Sequence, residues 1–463
     1  MMGRSLAAGL LFGATATATA ADPPPGISTV RYDENYSYLR DPAARSGAWW
    51  EPLKYIPLSK SGDVYLTLGG ETRLRYELLR NDNFGEGPQD HDGYLWLRAM
   101  PMADLHAGEY LRVFGELISA FAVDREPSKR TIDENQLDLL QAFADVRLPL
   151  SGPDAHATVR GGRQMLKYGS ERIISNRYGP NVLQTFDGVK AFAESGLWRV
   201  DAFWVRPVES DLEVFDDQTD QRALWSFYLT RHFDSAKQNG LDAYYIGYDN
   251  DEAVFNQGTG KEERHSLGTR IFGHASGWDW NVEGLYQFGS FGSGDVSAWT
   301  VGSDTGYTFS NFSWTPRLSL KANIISGDDD PSDADLQTFN PLFPKGKYFG
   351  EIGLIGPYNL MNLHPTIRVD PSETWSVSAA AVFYWRQNTH DGIYDNGGNL
   401  LRSDGSTSAR YIGTQMELVV NYHPFRTLEF EMAVSRLAAG DYIKATGQSD
   451  DAYFASMEIK FVF

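Results

Sequence analysis

The sequence predicts an all-β protein, an antiparallel barrel that crosses a membrane with its strands. Three observations carry this expectation. After residue 21 the chain holds no run of eighteen apolar residues, so no segment could span a bilayer as a helix. From Val64 onward, long segments alternate apolar and polar side chains, divided by clusters of Gly, Asp, Asn, Ser and Pro. Such alternation gives a strand one apolar and one polar face. Aromatic residues make up 13% of the chain, and in 374–386 Trp375 and Trp385 close both ends of the apolar face, as two membrane interfaces require.

The first segment shows the pattern. In 64–78 the even positions include Val64, Leu66, Leu68, Leu74, Tyr76 and Leu78, while the odd ones include Glu71, Arg73, Arg75 and Glu77. Segment 109–123 sets Leu111, Val113, Leu117, Phe121 and Val123 against Arg112 and Glu116. Segment 137–148 sets Leu140, Ala142, Ala144, Val146 and Leu148 against Gln141, Asp145 and Arg147. Polar faces built from glutamate and arginine suit a wet lumen better than the surface of a soluble sandwich. The final segment alternates from Tyr453 to Phe463, and an amphipathic last strand with a terminal aromatic is similar to the insertion signal of bacterial outer-membrane barrels.

Strands are expected at 64–79, 93–106, 109–123, 136–149, 155–168, 185–194, 197–208, 222–234, 240–249, 264–275, 278–289, 295–309, 314–326, 348–356, 373–387, 409–422, 426–437 and 452–463. That is eighteen, an even number as bacterial single-chain barrels require. Segments 295–309 and 348–356 are the faintest, and without them the count is sixteen. A barrel of either size encloses an aqueous lumen.

Residues 1–20 read as a cleaved secretory signal, with Arg4, an apolar stretch from Leu6 and an Ala18-Thr19-Ala20 cleavage site. Residues 21–62 are polar and aromatic and suit a periplasmic segment folded at the mouth of a barrel formed by 63–463. The formal charge of −20 argues against a nucleic-acid partner, because no basic surplus is available to displace counterions. The absence of cysteine removes disulfides, thiolate metal sites and a thiol nucleophile. Loop 327–347 carries Asp328, Asp329, Asp330, Asp333 and Asp335. Asp328, Asp330 and Asp333 offer oxygen ligands for Ca²⁺, but the cluster lacks the central Gly and terminal Glu of an EF-hand loop and reads as a solvated loop.

The run Gly162-Arg163-Gln164-Met165-Leu166-Lys167-Tyr168-Gly169-Ser170-Glu171-Arg172, followed by Phe186-Asp187-Gly188-Val189-Lys190, resembles the alginate export family of outer-membrane porins. So do the blocks RYDENYSYLRDP near the N-terminus and GDDDPSDADLQTFNPLFPKGKYFG at 327–350. The resemblance implies a monomeric eighteen-stranded barrel in the outer membrane of a Gram-negative bacterium. It also implies an arginine-rich constriction with loop plugs, through which an anionic polyuronate passes outward, delivered by periplasmic secretion partners.

The residues support that chemistry on their own. Arginine pairs with carboxylates bidentately and stays charged at any working pH, and rings of Arg and Lys select anions. Inward faces carry Arg73, Arg75, Arg98, Arg112, Arg147, Arg160, Arg317 and Arg386, with Lys321 and Lys460. Arg199 shares a face with Asp201, opposite Trp198 and Trp204. Arg163 and Lys167 have the opposite parity from Arg160 and point inward only across a bulge or past the strand end. Each of these cations has a structural reading too, as the partner of Glu71, Glu77, Glu116 or Asp145 in a satisfied polar wall. The chain has no G-x-S-x-G, H-E-x-x-H, Walker or dinucleotide motif, so neither catalysis nor a cofactor is expected. The expected function is conduction or export of an anionic polysaccharide, with uptake of small anionic or sugar solutes as the alternative and a structural barrel with a filled lumen as the third reading.

Overall fold

The computed structural model describes residues 27–152, 155–213 and 215–463; the expected signal segment 1–20 lies outside them. Eighteen strands close into one antiparallel barrel, and the two residues Ile56–Pro57 add a short pairing beside Tyr65 and Leu66. In chain order they are β1 (Val64–Arg80), β2 (Tyr94–Ala107), β3 (Leu111–Val123), β4 (Asn135–Pro149), β5 (His156–Gln164) and β6 (Phe186–Ser195). There follow β7 (Trp198–Pro207), β8 (Arg222–His232), β9 (Gly240–Phe255), β10 (Gly258–Ala275), β11 (Trp278–Phe291) and β12 (Gly294–Thr308). The circuit ends with β13 (Arg317–Ile325), β14 (Leu360–Ser372), β15 (Trp375–Arg386), β16 (Tyr411–Phe425), β17 (Leu428–Ala439) and β18 (Ala452–Val462). Each strand pairs with the next, and β18 closes on β1 from Glu71↔Val462 to Arg80↔Tyr453. Closure leaves no unpaired edge, which is the condition for placing a sheet in hydrocarbon. No helix of the described residues is long and apolar enough to cross a membrane.

Side chains alternate as the sequence predicts. Leu74, Leu97, Val113, Val189, Ile271, Leu320, Met416 and Ile459 stand exposed on the outer wall, while Arg73, Arg75, Arg98 and Glu116 are buried within. Trp198, Trp278, Trp375 and Phe425 ring the end with short turns, and Trp385 and Tyr453 lie toward the end with long loops.

One strand differs from its sequence assignment. Residues 348–356 are not a strand but part of a buried loop, and the fourteenth strand is β14 instead. Pro365 and Pro371 mask that strand in the sequence, since proline is depleted from sheet interiors. Here Pro365 opposes Leu320 of β13, while the pairing with β15 skips from Leu363 to Thr366. The barrel accommodates the missing N–H at that interruption.

The lumen is not an empty tube. Loop 165–185 and loop 326–359 fold inward and join one another: Ser175 donates its backbone N–H to Phe343 O at 2.9 Å, and Phe343 N–H returns to Ile173 O at 2.9 Å. Ile173, Ile174, Phe343, Tyr348, Phe349 and Ile352 make an apolar cluster with the inward residues Leu224, Ile246, Leu285, Val382 and Tyr384. Loop 387–410 covers the long-loop end, including a small hairpin at Ile393–Tyr394 and Leu400–Arg402. The N-terminal segment packs at the opposite, short-turn end, where Arg31 donates to Gly70 O at 3.1 Å and Phe463 O at 2.8 Å.

Two outcomes follow from these loop anchors. Arg386 is fully buried and donates to five backbone carbonyls of loop 387–410, those of Thr389, Asp391, Asp404, Thr407 and Ala409. Arg386→Ala leaves these carbonyls without their donor, and should destabilise the loop by about 3 kcal/mol, read as faster hydrogen exchange over 387–410 with the barrel intact. Separately, Asp328 N–H donates to the buried Asp391 carboxylate at 3.0 Å. Burial, aided by the charge of Asp391, lifts the Asp328 carboxyl to about 7, and burial also raises Asp391. A raised carboxyl pKa means the closed contact holds protons that the open one releases. The contact is strongest in acid and weakens as pH rises from the ordinary carboxylate range to about 7. Exchange at residues 388–392, corrected for intrinsic rates, should be faster at pH 8 than at pH 5, and Asp328→Asn should flatten that difference.

A cation-lined vestibule at the short-turn mouth

Cross-strand register assembles the site. On the lumen face, Arg112 of β3 lies opposite Asp145 of β4, Asp145 opposite Arg160 of β5, and Arg160 opposite Lys190 of β6. A second row runs from Thr230 of β8 through Asp242 of β9 and Arg270 of β10 to Glu283 of β11. Residues directly opposite interact most strongly when their charges differ. Accordingly Arg160 grips Asp145 with two bonds of 2.7 and 2.8 Å, and Arg270 Nε reaches Asp242 at 2.7 Å. Lys190 Nζ and Arg199 Nε meet Asp201 at 3.0 and 2.8 Å.

These rows wall a cavity of about 1450 Å³. The N-terminal segment forms one side through Tyr32, Asp33 and Glu34, and Lys167, Tyr168 and Gly169 of loop 165–185 form its inner end. Tyr168, Phe192, Tyr228 and Phe272 give it aromatic surface, with Tyr168 and Tyr228 rings 4.9 Å apart. Eight cationic side chains line it and eight carboxylates do too, so its fixed charge is balanced when histidines are neutral. A second recess of about 410 Å³ lies across the mouth, between the segment and β16–β18, and includes Lys460 and Glu429.

The expected pore-lining cations divide into groups. Arg112, Arg147, Arg160, Lys167 and Arg199 line the vestibule. Arg73 and Arg98 instead hold loop 165–185: Arg73 donates to Gly179 O at 3.0 Å and Pro180 O at 2.8 Å, and Arg98 to Pro180 O at 3.0 Å and Glu71 at 2.5 Å. Arg172 fastens the same loop to the other wall through Glu283 at 3.0 Å and Asn323. A Cβ on Gly302 would lie 1.9 Å from Arg172 Nη1, so a larger residue there would displace the guanidinium. Arg75 sits among Glu77, Glu351, Glu431 and Glu458. Lys321 donates to Tyr348 O at 3.1 Å, Arg317 pairs with Asp279 at 2.6 Å, Lys460 pairs with Glu429 at 2.7 Å, and Arg386 holds its loop. Among the described residues, Arg147 alone of the thirteen makes no side-chain hydrogen bond or ion pair.

Arg163 does not line the lumen. The register of β5 with both neighbours runs unbroken, so no bulge turns it inward, and it is tied to Asp187 at 2.9 Å and Asp138 at 3.3 Å. Lys190 and Arg270, whose parity within β6 and β10 marks them as inward, and Arg40 of the N-terminal segment complete the eight cations of the vestibule. Asp328, Asp330 and Asp333 are not brought together. Asp328 is buried beside Asp391, while Asp330 and Asp333 are exposed and cap their own turns. No group of three metal-binding side chains occurs among the described residues.

Comparison with known proteins agrees with this architecture. A family model for alginate export matches residues 64–456. No curated protein sequence matches the chain. Among solved structures, OccK2 (OpdF) of Pseudomonas aeruginosa in complex with glucuronate is 12% identical with a TM-score of 0.55, over 86% of this chain and 98% of that one. A BenF-like porin from Pseudomonas fluorescens Pf-5 gives 10% identity and a TM-score of 0.58, over 86% and 98%. Pseudomonas aeruginosa OpdK with vanillate gives 8% identity and a TM-score of 0.54, again over 86% and 98%. At such identities these neighbours speak for the fold, and with the match over most of the strands they place the chain: it belongs to the alginate export family and is an outer-membrane porin barrel.

Proposed function

We propose that this porin passes an anionic saccharide bearing uronate groups, and that the vestibule is where the solute enters. The observation that carries the reading is the joint lining of the cavity, cations for carboxylates beside aromatic faces for sugar rings. Its volume exceeds the roughly 300–1,000 Å³ of ordinary small-molecule sites, which suits an oligomer better than a single sugar. Short turns face the periplasm in outer-membrane barrels, so the vestibule opens where a polymer made inside the cell would arrive. Selectivity then rests on the cations that remain solvent-facing, chiefly Arg147, Lys167 and Arg199. Many weak contacts let a threaded chain keep moving.

Uptake of small carboxylates is the second reading. It is favoured by the inward loops, which fill the lumen beyond the vestibule, and by neighbours solved with glucuronate and vanillate. Planar-bilayer recording separates the two. Anion-selective steps blocked by oligouronates at lower concentration than by glucuronate support the oligomer, whereas equal block by both supports the small solute. Channels blocked by neither would overturn both.

Two variants divide selectivity from loop anchoring. Replacing Arg147 and Arg199 by Gln removes exposed cations from the vestibule and should lower the anion-to-cation permeability ratio roughly twofold. Arg73→Ala removes the donor to Gly179 and Pro180, so its main effect should be larger, noisier current steps as loop 165–185 loosens.

A further inference from the structure

Asp33 stands apart from the other charges of the vestibule. It belongs to the N-terminal segment, which precedes the matched residues 64–456, and it faces the cavity exposed. Among the described residues its carboxylate makes neither a hydrogen bond nor an ion pair. Its backbone position is nevertheless firmly set. Arg112 Nη2 donates to Tyr32 O at 2.7 Å, the carbonyl joined directly to the Asp33 nitrogen. The Tyr32 ring lies 4.0 Å beneath the Arg160 guanidinium and packs edge-on against Phe143 at 5.2 Å, while its hydroxyl donates to Met165 O at 2.8 Å.

The charges that act on this carboxylate are Lys190, Arg160, Arg199 and Arg112; their downward pull is outweighed by the cost of charging it between the walls of the cavity, and its pKa is raised overall. Each of the four already has a carboxylate partner on the barrel wall: Asp201 for Lys190, Asp201 together with Glu194 for Arg199, Asp145 for Arg160, Asp104 for Arg112, which makes four carboxylates for four cations. Asp33 is therefore a surplus anion within this group, projected from outside the barrel sheet into a cluster of cations that an entering carboxylate would meet. Walled by protein on several sides, such a fixed charge acts over several ångströms and is screened less than on an open surface.

We propose that Asp33 is a tethered competitor of the solute: its carboxylate occupies the position of a solute carboxylate among Lys190, Arg160, Arg199 and Arg112, and thereby sets how strongly the mouth attracts anions. The nature of the solute rests on the uronate reading above, whereas the effect on charge selectivity does not. Full-length wild type, Asp33→Asn, Asp33→Glu and, as a control on the same segment, Asp41→Asn would be compared in planar bilayers. The readings are reversal potential in a KCl gradient and half-blocking concentration of sodium glucuronate and of an oligouronate.

Asp33→Asn should raise the chloride-to-potassium permeability ratio about two- to threefold and lower the half-blocking concentrations by about threefold or more, with Asp33→Glu and Asp41→Asn close to wild type. An Asp33→Asn channel with wild-type selectivity would overturn the proposal, as would an equal shift in Asp41→Asn. A selectivity shift in channels that ignore both uronates would uphold Asp33 as the charge determinant and reject the uronate reading alone.

Discussion

A guanidinium enclosed by a barrel cannot remain unpaired, and most of this structure follows from how that demand is met. Leaving such a charge buried without a partner costs several kcal/mol, so each buried arginine of the lumen, unlike the exposed Arg147, is placed against a nearby carboxylate or a cluster of loop carbonyls. The first solution builds the wall, as in Arg160 with Asp145 and Arg270 with Asp242. The second brings loops into the lumen. Arg73 and Arg98 hold the carbonyls around Pro180, Arg264 holds Thr338 O at 3.2 Å, and Arg386 gathers loop 387–410. Several side chains that look from their sequence like part of a ring for anions thus serve as the fastenings of a plug.

This division limits what the lumen can do electrostatically. A paired arginine still presents part of its charge to a passing solute, but the carboxylate beside it cancels most of the long-range field. Attraction over distance depends on the residual imbalance, and only a few groups contribute to it. Arg147 adds positive charge without a partner, and Asp33 adds negative charge from a segment outside the barrel sheet. The −20 formal charge of the whole chain says little about the mouth, because the vestibule itself is balanced.

The fold was legible because a membrane-spanning strand must obey a two-residue period on both faces. Seventeen of the eighteen expected segments overlap observed strands, and the faint 295–309 segment is among them. The exception is instructive. Residues 348–356 are apolar because they fill the lumen, and one sequence can serve a lipid-facing strand or a buried plug with the same residue types. β14 was hidden by Pro365, whose missing donor falls at a break in pairing that only the third dimension shows. For the site, parity alone identified which cations face inward, and it also exposed the difficulty with Arg163. What parity could not give is partnership: whether an inward arginine meets water, a carboxylate or a loop carbonyl depends on loops whose course has no periodic signature.

The same logic ties the two ends of the lumen together. Tyr32 OH and Asn176 Nδ2 link the N-terminal segment to loop 165–185, at 2.8 Å to Met165 O and 3.3 Å to Thr29 O. That loop bonds in turn to loop 326–359 through Phe343, and Asp328 of the second loop meets Asp391 of the outer cover. From the periplasmic mouth to the outer loops, the filling is therefore one connected body resting inside the barrel. Its own contacts are a mixture of apolar packing and a few short backbone bonds, whereas the barrel's are a continuous ladder. Rearranging the filling disturbs fewer bonds than deforming the wall, so the lumen's softer part is its loops and its stiffer part the strands.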